Sequence, residues 1–254
     1  TSPGFRRFGR FTIRDHRNYG VLDLTEIIVK SSNVGVSNIA TDLGGDTLRN
    51  LYARLGLGQA TGIGFPGEAV GVLPAPPKWR PVEESTLSYG YGMSVNALQL
   101  AQAYMVIANG GIRYPLSLMR QEQRPQGQRV LSEQVTRAVR DMLKQAVARG
   151  TGKRARPGLY AAGGKTGTVH LVGANGYEDS QYKAIFAGMA PIDDPRIVTV
   201  VAVDAPQAGE YYGGEVAAPV FARVMGDALR LLNVKPELEV SETRVSQVTS
   251  GGRG

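Results

Sequence analysis

Apolar positions along the chain fall at helical spacing in the first 150 residues and in strand-length runs after that. The first twenty residues are basic and polar and read as an irregular entry or short edge strands. Leu24 to Lys30 is apolar at helical spacing and runs into Ser31-Ser32-Asn33. A second helix is predicted from Val34 to Leu43, stopped by Gly44-Gly45. Asp46 suits the N-cap of a third, with Leu48, Leu51, Tyr52 and Leu55 on one face and Gly56 past its end. Residues 57–87, rich in Gly and Pro, read as a long loop. Asn96 can cap a helix whose predicted buried side is Leu98, Leu100, Ala101, Tyr104, Met105 and Ala108. Ser132 caps another, with Val135, Val139, Leu143 and Val147 spaced for one face.

The pattern then becomes extended. Lys165 to Leu171 reads as a strand, and Lys183–Met189 and Ile197–Asp204 as two buried strands joined through Pro191-Ile192-Asp193-Asp194-Pro195. A last helix is predicted from Val216 to Leu232, carrying Val220, Phe221, Val224, Met225, Leu229 and Leu232. From Glu237 onward the chain is polar and Gly-ended, a mobile tail by composition. Helices, then an antiparallel sheet, then a packing helix argue for a layered α/β (α+β) domain over residues 1–236.

Composition narrows the chemistry. With 42% hydrophobic and 20% charged residues in 254, the chain reads as globular. It has no cysteine, which excludes disulfides, thiolate metal sites and a thiol nucleophile. His16 and His170 are its only histidines, so a histidine-rich metal site or a Ser-His-Asp triad lacks support. The net charge of +7 raises nucleic acid as a partner, yet the one dense cluster, Arg6, Arg7, Arg10, Arg14 and Arg17, lies in no reader motif. No apolar run approaches the ~18–20 residues of a membrane helix. We therefore expect no nucleic-acid partner, no cofactor and no membrane contact by these residues.

The strongest local signal is Lys165-Thr166-Gly167-Thr168, which follows two glycines and opens a strand. A lysine there sets a fixed positive charge at a sheet edge. Hydroxyls two residues apart point to one face. Gly167 lets a ligand lie against the backbone. Together they can grip a carboxylate and offer N–H groups to an acyl oxygen; the alternative is a chance turn into a strand. Ser31-Ser32-Asn33 at a break between helices reads equally as capping. His170, sharing a face with Thr168, reads as a solvent-edge residue.

Serine acyl-transferases combine S-x-x-K, S-x-N and K-T-G in that order. Ser31/Asn33 and Lys165 follow that order, 165 − 31 = 134 residues apart. The stretch Lys30-Ser-Ser-Asn-Val-Gly-Val-Ser37 resembles the second motif of class B penicillin-binding proteins, and Gly164-Lys-Thr-Gly-Thr168 the third. Ser88-Tyr-Gly-Tyr-Gly92 with Ala97-Leu-Gln-Leu-Ala101 resembles the segment between them. Pro206-Gln-Ala-Gly209, Tyr211-Tyr-Gly-Gly214 and Ala218-Pro-Val-Phe221 are similar to the division-specific branch. Asn96-Ala97 departs from the Thr-Pro frequent in relatives. The larger departure is the first motif. Ser2 is the only serine before Ser31, and position 5 is Phe; Ser180-Gln-Tyr-Lys183 comes after K-T-G-T and reads as chance. We expect the chain to begin between the first and second motifs of a larger protein, with the N-terminal part of the domain absent.

The resemblance implies a penicillin-binding-protein/serine β-lactamase-like fold and a peptidoglycan D,D-transpeptidase acting in septal wall synthesis through an acyl-serine. These residues alone are expected to be inactive. In the implied mechanism Ser31 relays or orients protons, Asn33 binds substrate backbone, and Lys165 supplies positive potential. Thr166, Gly167 and Thr168 bind the substrate carboxylate and acyl oxygen. Tyr91, Tyr211 and Tyr212 are candidates for an aromatic wall, or else half-buried structural residues. Implied partners are D-Ala–D-Ala stem peptides, β-lactams and proteins of the division complex, with the domain periplasmic and its anchor in the inner membrane. A β-lactamase or D,D-carboxypeptidase of the same superfamily, or a non-catalytic binding module of the division machinery, are the alternatives.

Overall fold

Segment by segment, short-range capping and burial account for the elements. The computed structural model describes residues 1–173, 176–207 and 209–237. The basic entry forms a hairpin, β1 (Phe5–Phe8) paired antiparallel with β2 (Phe11–Arg14). Several of its guanidinium groups lie over aromatic rings, Arg6 on Phe8 and Arg7 and Arg14 on Phe5. Helix α1 (Leu24–Lys30) is capped by Asp23, whose side chain accepts from the Glu26 N–H at 2.7 Å. Helix α2 (Asn33–Leu43) is capped by Ser32.

Helix α3 (Gly45–Leu55) differs from the prediction at its start. Gly44 is the N-cap without a side-chain bond, and Asp46 lies in the first turn, accepting from the Trp79 indole N–H at 2.7 Å. Gly56 ends it in the left-handed region, as predicted. Inside the predicted 57–87 loop a helix forms, α4 (Pro81–Leu87). Its proline occupies the first turn, where a missing N–H leaves nothing unsatisfied, and Glu83 accepts from the Arg80 N–H.

Helix α5 (Ala97–Ala108) is capped by Asn96, but its buried stripe is Gln99, Gln102, Ala103 and Val106. Two glutamines turn inward because their amides have partners: Gln99 Nε2 donates to the Gln59 and Val70 carbonyls at 2.6 and 2.7 Å. A short pair, β3 (Ile112–Arg113) and β4 (Gln128–Arg129), follows. Helix α6 (Glu133–Arg149) buries Thr136, Leu143, Ala146 and Val147 and leaves Val135 exposed.

The main sheet has the order β5 (Gly163–Gly173), β6 (Gly176–Ala190), β7 (Ile197–Asp204), all antiparallel, with β5 on an edge. Helix α7 (Gly213–Leu231) covers one face. Strand alternation separates two cores. Phe186 of β6 meets Phe221 of α7 with ring centroids 4.6 Å apart. Met189, on the opposite face, packs with Leu143 of α6 and Ile192. Burial on both faces explains why β6 reads as a continuous apolar run. On α7 the buried stripe is Ala217, Ala218, Phe221, Met225 and Leu229; Val220, Val224 and Leu232, predicted on it, are exposed. The third core joins Ala40 of α2, Leu48 of α3 and Leu87 of α4.

The architecture is the predicted layered one: an antiparallel sheet packed by helices. The predicted tail begins at Glu237, whose carboxylate accepts from the Ala161 N–H at 2.9 Å. The rest of that segment lies outside the described residues.

Candidate functional site

The α1–α2 turn is built by three consecutive residues with different tasks. Ser31 ends α1 in the left-handed region, φ 57° and ψ 49°, a conformation few residues other than Gly adopt. The chain then reverses into Ser32, which is buried; its Oγ accepts from the Gly35 N–H at 2.9 Å and donates to Asp15 Oδ2 at 2.6 Å. Asp15 Oδ1 accepts from the Val34 N–H at 2.9 Å. Asn33 is the first residue of α2, and its Nδ2 donates to the Arg14 carbonyl at 3.5 Å. Capping and chemistry are therefore divided: Ser32 caps, which leaves the Ser31 hydroxyl to face another partner.

That partner is Lys165. Its Nζ donates to Ser31 Oγ at 2.9 Å and to the Thr166 carbonyl at 3.0 Å, with Thr166 Oγ1 at 3.4 Å. Burial pushes the ammonium down from 10.5 to about 8. Since Ser31 Oγ accepts from Nζ, its own hydroxyl proton is directed elsewhere.

Successive residues of edge strand β5 serve opposite faces. A Cβ at Gly163 would meet Ile192 and α6, and one at Gly164 would meet Phe186 on the α7 face. Lys165 thus leaves toward α1 and α6, while Thr166 and Thr168 leave toward α7. Thr168 Oγ1 accepts the Gly213 N–H, the first of α7, at 3.0 Å, so the hydroxyl retains its proton for donation. Thr166 Oγ1 lies 2.8 Å from Thr151 Oγ1. Thr166 Oγ1 thus stands between the Lys165 ammonium, which reaches around the strand edge, and Thr151 Oγ1; with the Thr168 hydroxyl two residues on, the donors suit a carboxylate.

The glycines have unequal reasons. A Cβ at Gly167 would make an ordinary 3.5 Å contact with Ile185, so the fold does not itself demand glycine there. At Gly213 a Cβ would lie 2.5 Å from the Gly167 carbonyl oxygen and closer still to that of Ile185. The helix end is seated directly on strand backbone.

Tyr211 stacks on Tyr182 at 4.2 Å, and its hydroxyl donates to that of Tyr212 at 3.1 Å. His170 also packs on Tyr182, at 4.6 Å, so the aromatic series runs from β5 across β6 to the residues before α7. Tyr212 is half exposed. Tyr91 meets Tyr89 edge-on at 5.7 Å and lines a cavity of about 390 Å³ with Pro74, Trp79 and Leu87. The hydrogen bonds thus unite Ser31, Lys165 and Thr166, Thr168 is bonded instead to the start of α7, and the aromatic stack unites Tyr211 and Tyr212, while Tyr91 lies with the Pro-rich segment. Lys183, of the chance S-x-x-K, is ion-paired with Asp204.

Sequence reasoning missed Asp15 and Thr151. Both reach the site through tertiary contacts that no local pattern marks. No group of three metal-ligating side chains occurs among the described residues, and among them no helix is long and apolar enough to cross a membrane.

The penicillin binding protein transpeptidase domain matches residues 2–226. Peptidoglycan D,D-transpeptidase FtsI of Escherichia coli K12 is 40% identical over 249 residues, 98% of this chain and 42% of that protein. The probable peptidoglycan D,D-transpeptidase PbpC of Pseudomonas aeruginosa is 38% identical, over 93% of this chain and again 42% of the relative. The chain thus spans about two fifths of the length of these two relatives. Among solved structures, the apo transpeptidase domain of Burkholderia pseudomallei penicillin-binding protein 3 superposes with a TM-score of 0.87 at 42% identity, covering 93% of this chain and 72% of that one.

Proposed function

The chain belongs to the penicillin-binding protein transpeptidase domain family, and on that premise we propose that it forms part of a peptidoglycan D,D-transpeptidase that cross-links stem peptides at the septum. The observation that carries this reading is the 2.9 Å contact between Ser31 Oγ and Lys165 Nζ, which joins two motifs 134 residues apart.

The reaction is acyl transfer in two steps. A serine of an S-x-x-K motif, supplied by the full-length protein outside these 254 residues, attacks the carbonyl carbon of the D-Ala–D-Ala peptide bond. That bond breaks, the leaving D-alanine amine takes a proton, and a serine ester forms. The amine of a second stem peptide then attacks the ester, forming the cross-link amide and restoring the serine hydroxyl. Ser31, held by Lys165, passes or orients the proton. Asn33 holds the substrate backbone. Thr166 and Thr168 bind the terminal carboxylate beside the Lys165 charge, with Gly167 admitting the ligand and Thr151 steadying Thr166. The Thr168 backbone N–H stabilises the developing oxyanion, a donor of a kind worth about 3 kcal/mol. Tyr211 and Tyr212 wall the cleft, and Tyr91 acts from the separate cavity beside the Pro-rich segment. β-Lactams enter as mimics of D-Ala–D-Ala and stop at the ester. The domain works in the periplasm on an inner-membrane anchor, among division-complex partners. Residues 1–236 belong to the transpeptidase domain.

Intact-mass measurement after incubation with benzylpenicillin tests this. The full-length protein is expected to gain one stable adduct and these 254 residues none. An adduct on the shorter chain would relocate the nucleophile. Fast release of hydrolysed penicillin would favour a hydrolase, and no adduct on either would favour a non-catalytic module.

A further inference from the structure

The hairpin β1–β2 grips helix α2 at two places. Arg6 Nη1 donates to the Ser37 carbonyl at 3.1 Å, Asn38 Oδ1 at 2.9 Å and Thr41 Oγ1 at 2.7 Å, all in the middle and later turns of the helix. Asp15 holds the first turn, with one oxygen on Ser32 Oγ and the other on the Val34 N–H. The guanidinium bonds a helix carbonyl, and the carboxylate meets the Val34 N–H and the capping hydroxyl at the helix start, the polarity a helix dipole favours. Asp15 is itself fixed, since its N–H donates to the Gly4 carbonyl at 3.0 Å and Ile13 beside it is buried.

What Asp15 holds matters more than the helix end. Ser32 and Val34 are the immediate neighbours of Asn33 on either side, and Ser32 is bonded to Ser31. Anchoring both neighbours fixes where the Asn33 amide and the Ser31 hydroxyl point. Ser31 stands in the left-handed region, so the turn has a lower-energy alternative to relax into when the anchor goes. We propose that Asp15 is a positioning residue for the acyl-transfer site, holding Ser31 and Asn33 in register with Lys165. It touches no substrate and acts only through Ser32 and Val34. The inference rests on the function proposed above.

The test uses the full-length protein and the stopped-flow acylation rate with a fluorescent penicillin, resolved into pre-acylation dissociation constant and acylation rate constant. D15A is expected to slow acylation roughly 10- to 100-fold, because a displacement near 1 Å at a reacting site costs on that order, while the dissociation constant barely changes. D15N keeps one acceptor and is expected to fall between D15A and wild type. If Asp15 acts through Ser32, the S32A and D15A losses combine to less than their product. Should D15A fail to fold, D15N, S32A and their double variant carry the same comparison. Wild-type acylation rate constants in folded D15A or D15N, a loss confined to the dissociation constant, or multiplicative S32A and D15N losses would overturn the inference. Failure of the wild-type protein to acylate would instead overturn the proposed function.

Discussion

Adding one methyl group at Gly213 sets two physical effects against each other. Position 213 opens α7, and alanine there gains helix propensity of less than about 1 kcal/mol over glycine. The surroundings oppose it. The new Cβ would lie 2.5 Å from the Gly167 carbonyl oxygen, where ordinary contact begins at 3.4 Å, and the Ile185 carbonyl is nearer still. Neither obstacle is a flexible side chain; both are sheet backbone. The first turn of α7 must therefore lift by about 1 Å, an overpacking strain of about 1–3 kcal/mol. The net loss corresponds to a melting temperature lower by about 2–8 °C in a domain of this size. The same lift lengthens the 3.0 Å bond from the Gly213 N–H to Thr168 Oγ1 and turns that hydroxyl away from the position proposed for the substrate carboxylate. Acylation by penicillin is then expected to slow by about 10- to 100-fold in the full-length protein. Differential scanning calorimetry and stopped-flow acylation of G213A read both effects. A variant that melts at or above the wild-type temperature and acylates at the wild-type rate would show that the helix end is not seated on the strands.

Lys165 gives a pH signature. Burial lowers its ammonium from 10.5 to about 8, so the folded protein bears the desolvation cost while both states are charged. Between pH 8 and 10.5 only the unfolded chain still holds the proton, so stability rises through that window by up to about 3 kcal/mol; urea titrations of wild type and K165M at pH 7.5 and 9.5 compare the gain, which the variant should lack. Acylation should move the other way, falling above pH 8 as the charge is lost, and a flat pH–rate profile from 7 to 10 would exclude Lys165 as the carboxylate's cation. For Thr151, T151V removes the hydroxyl that meets Thr166 Oγ1 and should lower the acylation rate by several-fold to about tenfold. T151S should retain it, and equal rates in the two variants would mean the contact is incidental.

The legible parts of the fold were those whose cause is local. The helices after Leu24 and Ser132, the cap at Asn96 and the apolar runs of β6 and β7 all announce themselves in sequence. The illegible parts depend on distant partners. Gln99 is buried because the Gln59 and Val70 carbonyls await its amide, and an apolar-periodicity reading turns α5 the wrong way. Helix α4 starts at a proline inside a Pro-rich stretch and was submerged in it. Val220 and Val224 match a helical face but look away from Phe186. At the candidate site, the meeting of Ser31 with Lys165 is foreshadowed by motif order, which survives in one dimension. Asp15 and Thr151 are not, since a carboxylate 17 residues before the serine it bonds, or a threonine 15 before another, has no signature until the chain folds.

The left-handed turn at Ser31 places durability and chemistry in opposition. Every residue with a Cβ is disfavoured there by roughly 1–2 kcal/mol, and glycine is the side chain that relieves it. Glycine also removes the hydroxyl that Lys165 holds. If Ser31 acts as proposed, a chain selected for thermal endurance alone would drift toward glycine at this position and fall silent, whereas a working one carries the tension permanently. Screens for hardier variants should therefore recover position 31 among their gains and, on the function proposed above, each such gain should be an inactive protein.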